Sequence, residues 1–301
     1  MKTGKIRQQP RGVIVPVLTP FRQDKSIDFA TLEKLIDWLC EKKTHALFPM
    51  GGSGEYQTLS TVERKKMIDT VLQVNGERRI CFAGTGGKNP AETIELSEYA
   101  QSQGADGVGV VIPDFIAGHR NAIFAYFQTI DRAVSIPMMV YDPRGEGDYS
   151  LTPGLMRRMI NELQNLAGIK YRTTNAENMG NMAREITAEI NLLSGNEATF
   201  LQDLAVGAVG CVGGGANFYP DLMWQLQNRF EQGNFAEARR IQFQILEAIQ
   251  VLNRVYWPLS GKIVLRELGI PFQFVTRVPG KKVSGENVSF IREYYRRLLK
   301  I

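Results

Sequence analysis

The stretch "NLAGIKYR", residues 165–172, gives the first indication of the fold, because an apolar run in it ends on a charged residue, Lys170. Residues 166–171 are typical of a strand that is buried on both faces, since the apolar residues follow one another without alternation. A buried ammonium group is unfavourable unless it is paired with an acid or gives up its proton. Lys170 therefore marks either a buried ion pair or a site that uses an uncharged amine.

Seven further β-rich runs accompany this one along the chain. They occupy residues 12–18, 45–50, 79–84, 107–113, 136–141, 190–194 and 207–213. Between several of them lie patterns that predict helices. Residues 28–43 have apolar residues at steps of three and four. Residues 60–74 open with a capping-box pattern, and residues 89–104 and 151–163 have Pro near the start.

Eight β-runs that alternate with helices predict an α/β fold with a parallel sheet. Eight such units over roughly 215 residues have the size of a (β/α)8 or TIM barrel, although alternation alone also permits a doubly wound open sheet. The β-runs stop after residue 225, and helical patterns follow at residues 228–255, 258–269 and 284–300. We predict a TIM barrel over residues 1–225 and a C-terminal helical appendage of the same domain over residues 226–301.

Composition and charge exclude several classes of protein. The 301 residues are 44% hydrophobic, and 36 Lys and Arg face 31 Asp and Glu, which is far from the basic stripe of a nucleic-acid binder. The start of the chain lacks the apolar core of a secretory signal, and no apolar run approaches the ~18 residues of a membrane span. We therefore expect a cytoplasmic protein that binds neither membrane nor nucleic acid.

The reactive residue types are few. Three scattered cysteines without close spacing indicate reduced thiols, and two isolated histidines disfavour a Ser-His-Asp triad or a histidine-rich metal site. No metal and no cofactor is predicted.

In a TIM barrel, function resides at the carboxyl ends of the strands and in the loops that follow. The candidates at these positions come from five strands and converge on one rim. They are Gly52 and Ser53 after strand two, Tyr141 and Arg144 at strand five, Lys170 at strand six, Gly195 after strand seven and Gly213 after strand eight.

These residue types suit the chemistry of a 2-oxo acid. A desolvated lysine such as Lys170 can be uncharged, attack a ketone and form a Schiff base. Tyr141 can carry a proton, and the loop around Gly52 and Ser53 can hold a carboxylate. Each residue also has a purely structural interpretation: an ion-paired lysine, a core tyrosine, or a tight turn at the glycines.

Four short motifs together resemble the N-acetylneuraminate lyase/dihydrodipicolinate synthase superfamily of class I Schiff-base aldolases. They are Gly-Gly-Ser-Gly-Glu at 51–55, Tyr-Asp-Pro at 141–143, Gly-Ile-Lys at 168–170 and Ser-Gly-Asn-Glu at 194–197. The resemblance implies that Lys170 forms the Schiff base, that Tyr141 shuttles the proton and that Gly52 and Ser53 bind the substrate carboxylate. It also implies a metal-free homo-oligomer, a dimer or a tetramer.

Departures from the synthase branch narrow the expected reaction. That branch usually has Thr-Thr where this chain has Gly52-Ser53, and a Pro-Tyr-Tyr run where this chain has Pro113-Asp114-Phe115. Two hydroxyl groups of its proton relay are therefore missing. We expect aldol cleavage or dehydration of a 2-keto-3-deoxy sugar acid, with Arg144 as a candidate ligand of a distal carboxylate.

Three alternatives remain open from the sequence. The first is a condensation like that of dihydrodipicolinate synthase. The second is a catalytically degenerate barrel that binds a metabolite as a sensor or scaffold. The third is a phosphosugar isomerase that uses the glycine-rich run at residues 213–217, although an obvious catalytic base is lacking for it.

Overall fold

The computed structural model describes residues 9–144, 151–278, 280 and 283–300. Residues 1–8, predicted as part of the barrel, and residue 301, predicted as part of the appendage, lie outside the described residues. Eight strands pair in parallel, each with the next along the chain, and β8 pairs with β1 to close the barrel. The strands are β1 (Gly12–Val15), β2 (Ala46–Leu47), β3 (Ile80–Gly84), β4 (Gly107–Val111), β5 (Met138–Asp142), β6 (Leu166–Tyr171), β7 (Asn191–Ser194) and β8 (Gly210–Val212). The prediction of a TIM barrel is confirmed, and the open sheet is wrong.

Helices follow the strands and surround the barrel. They are α1 (Phe29–Glu41), α2 (Thr61–Asn75), α3 (Pro90–Ser102), α4 (Arg120–Ala133), α5 (Pro153–Glu162), α6 (Ala176–Ile186), α7 (Phe200–Ala205) and α8 (Pro220–Glu231). Their starts have local causes that the sequence carries. Ser60 and Glu63 form a reciprocal capping box at the start of α2, and the Asn89 side chain caps α3 in front of Pro90.

The apolar core has two layers. The larger layer lies between the strands and the surrounding helices. The smaller layer fills the barrel and consists of Ile14, Ala46, Phe48, Phe82, Met139, Leu193 and Val212. The Phe48 ring occupies space that a side chain at position 109 would need, since a Cβ on Gly109 would lie 2.3 Å from it. The filled interior leaves the carboxyl ends of the strands as the open end of the barrel.

The C-terminal appendage consists of α9 (Phe235–Leu252), α10 (Leu259–Glu267) and α11 (Gly285–Leu299). The single helix predicted over residues 228–255 is two helices, because the chain turns at Gly233, whose φ is +74°, and Asn234 then caps α9. The predicted division between residues 225 and 226 falls inside α8. None of the helices in the described residues is long and apolar enough to cross a membrane. Cys40, Cys81 and Cys211 are free and buried.

Candidate active site

Lys170 and Tyr141 lie side by side at the carboxyl ends of neighbouring strands. In the parallel pairing of β5 with β6, their Cα atoms are partners. The Nζ atom of Lys170 lies 4.0 Å from the centre of the Tyr141 ring and 5.9 Å from the centre of the Phe48 ring. Because the Phe48 ring lies in the filled barrel interior, the lysine amine is close to two aromatic rings at the open end of the barrel.

A cavity of about 390 Å³ surrounds this pair. The six predicted site residues in its lining are Gly52, Ser53, Tyr141, Lys170, Gly195 and Gly213. The volume and the mixture of apolar and polar walls suit a small organic acid. These residues come from the carboxyl ends of five strands or the loops that follow them, and they line one cavity.

Lys170 is buried, with 6% of its surface exposed. Burial lowers its pKa to about 8, and the positive charge of Arg172 acts in the same direction, while Cys211 and Glu197 oppose the shift. In the described part of the chain, its Nζ has neither a hydrogen-bond partner nor an ion-pair partner. At pH 7 about a tenth of this amine is therefore uncharged, far more than for a lysine with an ordinary pKa, and the uncharged form is the one that a nucleophile requires.

Tyr141 keeps its proton at neutral pH. Burial raises the pKa of its phenol, and Asp142 adds to that effect, whereas Arg172 and Arg144 act against it. A protonated phenol beside the amine can donate a proton to a developing alkoxide and take one back later.

The loop of Gly52 and Ser53 forms a short 3-10 turn, Gly52–Gly54. The first N–H groups of such a turn have no partner within it and can point to a ligand. The Thr19 hydroxyl fixes the turn by donating to the Gly54 carbonyl at 2.7 Å. A Cβ on Gly52 would meet no atom within 4 Å, so packing does not require a glycine there.

The glycines after β7 and β8 provide space for side chains of the same cavity. A Cβ on Gly213 would lie 2.4 Å from the Oε2 atom of Glu197, and a Cβ on Gly195 would lie 2.8 Å from the Cβ of Arg172. The Glu197 carboxylate accepts hydrogen bonds from the Gly215 N–H at 2.8 Å and from the Tyr219 hydroxyl at 3.1 Å. Burial raises the pKa of Glu197.

Arg144 lies elsewhere than the sequence suggested. It forms an ion pair with Asp114 and lines a neighbouring cavity of about 550 Å³, which shares Gly52 and Tyr141 with the Lys170 cavity. Its Nη1 atom is buried and has no hydrogen-bond partner among the described residues. The role predicted for Arg144 as a substrate ligand stays a prediction, and its side chain is not a wall of the Lys170 cavity.

Sequence reasoning missed two groups of cavity residues. The first group comes from the barrel itself: Arg172, Asn196 and Glu197. The alternation of a strand, which turns residue 172 to the same side as residue 170, was the signal for Arg172. The second group comes from the appendage: Ile249, Leu252, Asn253, Trp257 and Ser260. For these residues the sequence carried no local signal, because their position depends on how α9 and α10 pack over the barrel.

Comparison with known proteins identifies relatives of the whole chain. The model of the dihydrodipicolinate synthetase family matches residues 9–294. A 4-hydroxy-tetrahydrodipicolinate synthase of Brucella abortus is 31% identical over 259 residues, which cover 86% of this chain and 88% of that relative.

Solved structures agree with this similarity. Dihydrodipicolinate synthase from Aquifex aeolicus has a TM-score of 0.89 at 27% identity and covers 96% of this chain and 98% of its own. A prophage protein of the same family from E. coli K12, solved in complex with pyruvate, has a TM-score of 0.88 at 26% identity, with the same coverage of 96% and 98%. The chain therefore belongs to the dihydrodipicolinate synthetase family.

Proposed function

We propose that this protein is a lyase that forms a Schiff base between Lys170 and a 2-oxo acid such as pyruvate. One observation carries the proposal: a buried lysine with a pKa of about 8 lies at the carboxyl end of β6, directly beside Tyr141. Two further findings support it. The relatives with a specific name are synthases of one aldolase-type family, and one solved neighbour is a complex with pyruvate.

The chemistry follows from the two side chains. The uncharged amine of Lys170 attacks C2 of the 2-oxo acid, and the carbonyl oxygen takes a proton to give a carbinolamine. Loss of water from this adduct leaves the iminium ion. The iminium then accepts the electron pair of a bond at C3 and becomes an enamine, which is the common intermediate of aldol cleavage and condensation. Tyr141 supplies and removes the protons of these steps.

The carboxylate of the 2-oxo acid fits the loop of Gly52 and Ser53. Both residues line the cavity of Lys170, and their N–H groups open the turn Gly52–Gly54. The Ser53 hydroxyl adds a further donor at the same place. Binding the carboxylate there brings C2 to the lysine and leaves the rest of the substrate directed toward the mouth of the cavity.

Two reactions of the enamine are candidates. The names of the relatives favour condensation of pyruvate with an aldehyde, which the sequence analysis gave only as an alternative. Cleavage or dehydration of a 2-keto-3-deoxy sugar acid is favoured by Gly52 and Phe115, which lack the two hydroxyl groups of the synthase relay. Parallel assays separate the two reactions: one measures condensation of pyruvate with aspartate semialdehyde, the other pyruvate release from 2-keto-3-deoxy sugar acids.

The protein is proposed to work in the cytoplasm as a homo-oligomer, a dimer or a tetramer. This proposal rests on the family to which the chain belongs. Light scattering of the purified protein gives the state directly. A solved neighbour described as a monomeric dihydrodipicolinate synthase variant makes this measurement worthwhile.

Trapping tests the Schiff base itself. Incubation with pyruvate and borohydride is expected to fix one reduced adduct, on Lys170, which peptide mass spectrometry locates. Lys170→Ala is expected to remove both the adduct and turnover, with little change in thermal stability, since no described acid depends on this lysine. Lys88→Ala is a matched control, because Lys88 is exposed beside the neighbouring cavity and should leave the adduct intact.

Other outcomes have defined meanings. If wild-type protein gives no adduct and Lys170→Ala is destabilised, Lys170 is an ion-pair residue and the proposal is wrong. An adduct without turnover of any 2-oxo acid would favour the metabolite sensor. Binding of a phosphorylated sugar without any pyruvate adduct would favour the isomerase.

A further inference from the structure

We infer that Arg172 binds a second carboxylate, at the far end of the substrate, so that the enzyme selects 2-oxo acids with an anionic group at both ends. The inference rests on the proposed function, because it assumes that the first carboxylate and C2 are held at Gly52, Ser53 and Lys170. It assigns to Arg172 the role that the sequence suggested for Arg144.

The position of Arg172 follows from that of Lys170. Arg172 comes directly after β6, two residues beyond the lysine, and the side chain between them, Tyr171, is buried on the other face of the strand. Alternation therefore directs Lys170 and Arg172 to the same side, with Cα atoms on the order of 6–7 Å apart. Both side chains line the same cavity.

The backbone of Arg172 is held in place. Its N–H donates to the Asp142 carbonyl at 3.2 Å, which continues the pairing between β5 and β6 beyond the last strand residue. On the other side, Gly195 allows the chains to approach closely, because a Cβ there would lie 3.0 Å from the Cα of Arg172. The backbone that carries the guanidinium is thus held between two neighbouring strand ends.

The guanidinium has no acid to neutralise it among the described residues. No ion pair and no side-chain hydrogen bond joins Arg172 to any of them. Arg144 differs in this respect, because Asp114 is its ion-pair partner. Arg172 therefore brings an uncompensated positive charge to the cavity mouth.

The acids that face the same region already have partners. Both oxygens of Glu197 accept hydrogen bonds, from Gly215 and from Tyr219. The Asp142 carboxylate accepts from the N–H groups of Arg144, at 3.0 Å, and Leu151, at 2.7 Å. Arg172 itself is exposed, so water solvates its guanidinium in the empty cavity, and none of these described acids competes with a ligand anion for it.

A carboxylate suits Arg172 better than a hydroxyl group does. The planar guanidinium offers two parallel N–H donors to two carboxylate oxygens, a geometry that a lysine ammonium cannot reproduce. A 2-oxo acid with a terminal carboxylate therefore suits a cavity that has both Lys170 and Arg172 in its lining. This requirement holds whether the enamine is made by cleavage or consumed in condensation.

Matched 2-oxo acids test the inference without turnover. The half-saturating concentration for the borohydride-fixed adduct is measured for pyruvate, 2-oxoadipate and 2-oxohexanoate, the last two having equal length but different ends. We expect wild-type protein to prefer 2-oxoadipate over 2-oxohexanoate by about 10- to 100-fold, the range of one charge-assisted interaction. Arg172→Gln should lose that preference, which is measured as the ratio of the two half-saturating concentrations within the same variant, so that a general change in amine reactivity cancels.

Two further variants separate charge from geometry. Arg172→Lys keeps a positive charge near Lys170 but loses the planar fork, so it should recover only part of the preference. If Arg172→Gln does not fold, the comparison of Arg172→Lys with wild type decides. Arg184→Gln is the matched control, since Arg184 is exposed on α6 and outside both cavities, and it should behave as wild type.

The possible failures are distinguishable. If pyruvate gives no adduct in wild-type protein, the proposed function itself is wrong. If pyruvate reacts but 2-oxoadipate is no better than 2-oxohexanoate, or its advantage survives Arg172→Gln or is fully retained in Arg172→Lys, the inference about Arg172 is overturned. A stronger response to the 5-phosphono analogue of 2-oxopentanoate than to 2-oxoadipate would also overturn the choice of carboxylate, because it would identify a phosphate site.

Discussion

Lys170 and Lys262 are both buried in this protein, but their surroundings are opposite in kind. The side chain of Lys262 is fully buried, and its Nζ donates to the Glu55 Oε1 atom at 2.6 Å and to the Val275 carbonyl at 2.7 Å. Burial lowers the pKa of Lys262, and the Glu55 carboxylate counteracts this effect. Lys170 has aromatic rings below it and no carboxylate bonded to it in the described residues.

The difference shows what makes a buried lysine reactive. Desolvation disfavours the ammonium form of both residues, but only Lys262 has a bonded acid that restores it. Lys262 is therefore a structural cation, whereas Lys170 is poised to be a neutral amine. The lack of a partner, rather than burial itself, distinguishes the candidate nucleophile.

The structural pair also supports the candidate site. Glu55 follows the turn Gly52–Gly54 directly, in a left-handed conformation with φ of 56°. Its carboxylate accepts hydrogen bonds from the N–H groups of Arg277, at 2.8 Å, and Val278, at 3.1 Å, in addition to the bond from Lys262. The ion pair thus connects the loop of Gly52 and Ser53 to the C-terminal appendage.

The rings beneath the two lysines give the prediction with the largest expected effect. Tyr141 lies under Lys170, whereas Phe21 lies under Lys262 at 4.5 Å and has no hydroxyl group. Tyr141→Phe makes the reactive site like the structural one in this respect while keeping the ring. We expect turnover to fall by about 10²–10⁴-fold, the usual contribution of a general acid–base group, with the fold intact.

Steady-state kinetics and circular dichroism check this prediction. The borohydride adduct with pyruvate is expected to persist in Tyr141→Phe, since the amine itself is unchanged. Near-normal turnover of the variant would assign the proton transfer to another group.

Removal of the structural lysine is expected to affect stability. Lys262→Met leaves the Glu55 carboxylate buried without its cation, which typically destabilises a fold by about 3–5 kcal/mol. Denaturant unfolding of the variant and wild type at equal protein concentration measures the difference. The exposed Lys88→Met is the matched control and should stay within about 0.5 kcal/mol of wild type.

A double variant tests whether the unpaired Glu55 carboxylate causes the loss of stability in Lys262→Met. Glu55→Gln in the Lys262→Met background removes the stranded charge but keeps an oxygen acceptor for the neighbouring N–H groups. It should recover part of the lost stability. If Lys262→Met alone is as stable as wild type, Lys262 and Glu55 do not form the anchoring pair that the structure suggests.

The fold could be predicted because its signals are local. Each strand is a short apolar run, and several helices carry an apolar stripe or a capping signal at the start, so the alternation of strands and helices follows from local patterns. The predicted ends of the strands and helices were less accurate than their order along the chain. The predicted strand at residues 45–50 retains only Ala46–Leu47 as β2. The backbone of Phe48 still bonds to Val15, but the chain leaves the extended conformation by Met50, whose φ is 59°.

The candidate site could be predicted only for residues at the carboxyl ends of strands and in the loops that follow. This position identified Lys170 and Tyr141, because a parallel barrel brings all carboxyl ends of its strands to one rim. It could not find Trp257 or Asn253, whose approach depends on tertiary packing of the appendage. It also could not foresee that Asp114, from another loop, would hold Arg144 in the neighbouring cavity.

The smallest expected effect concerns the pH dependence of Schiff-base formation, which tests the contrast between the lysines most directly. The pKa of Lys170 is lowered to about 8, so the uncharged amine decreases roughly tenfold for each pH unit below that value. The initial rate of imine formation at low pyruvate concentration should therefore rise with pH and level off above about 8. With a lysine of ordinary pKa, the rate would instead keep rising well beyond that pH. Arg172 helps to lower the pKa of Lys170, so Arg172→Gln should move the midpoint upward, whereas Arg172→Lys should leave it nearly in place. Rapid-mixing measurements across this pH range provide both midpoints, and a midpoint in the ordinary lysine range for wild-type protein would contradict the view that desolvation activates Lys170.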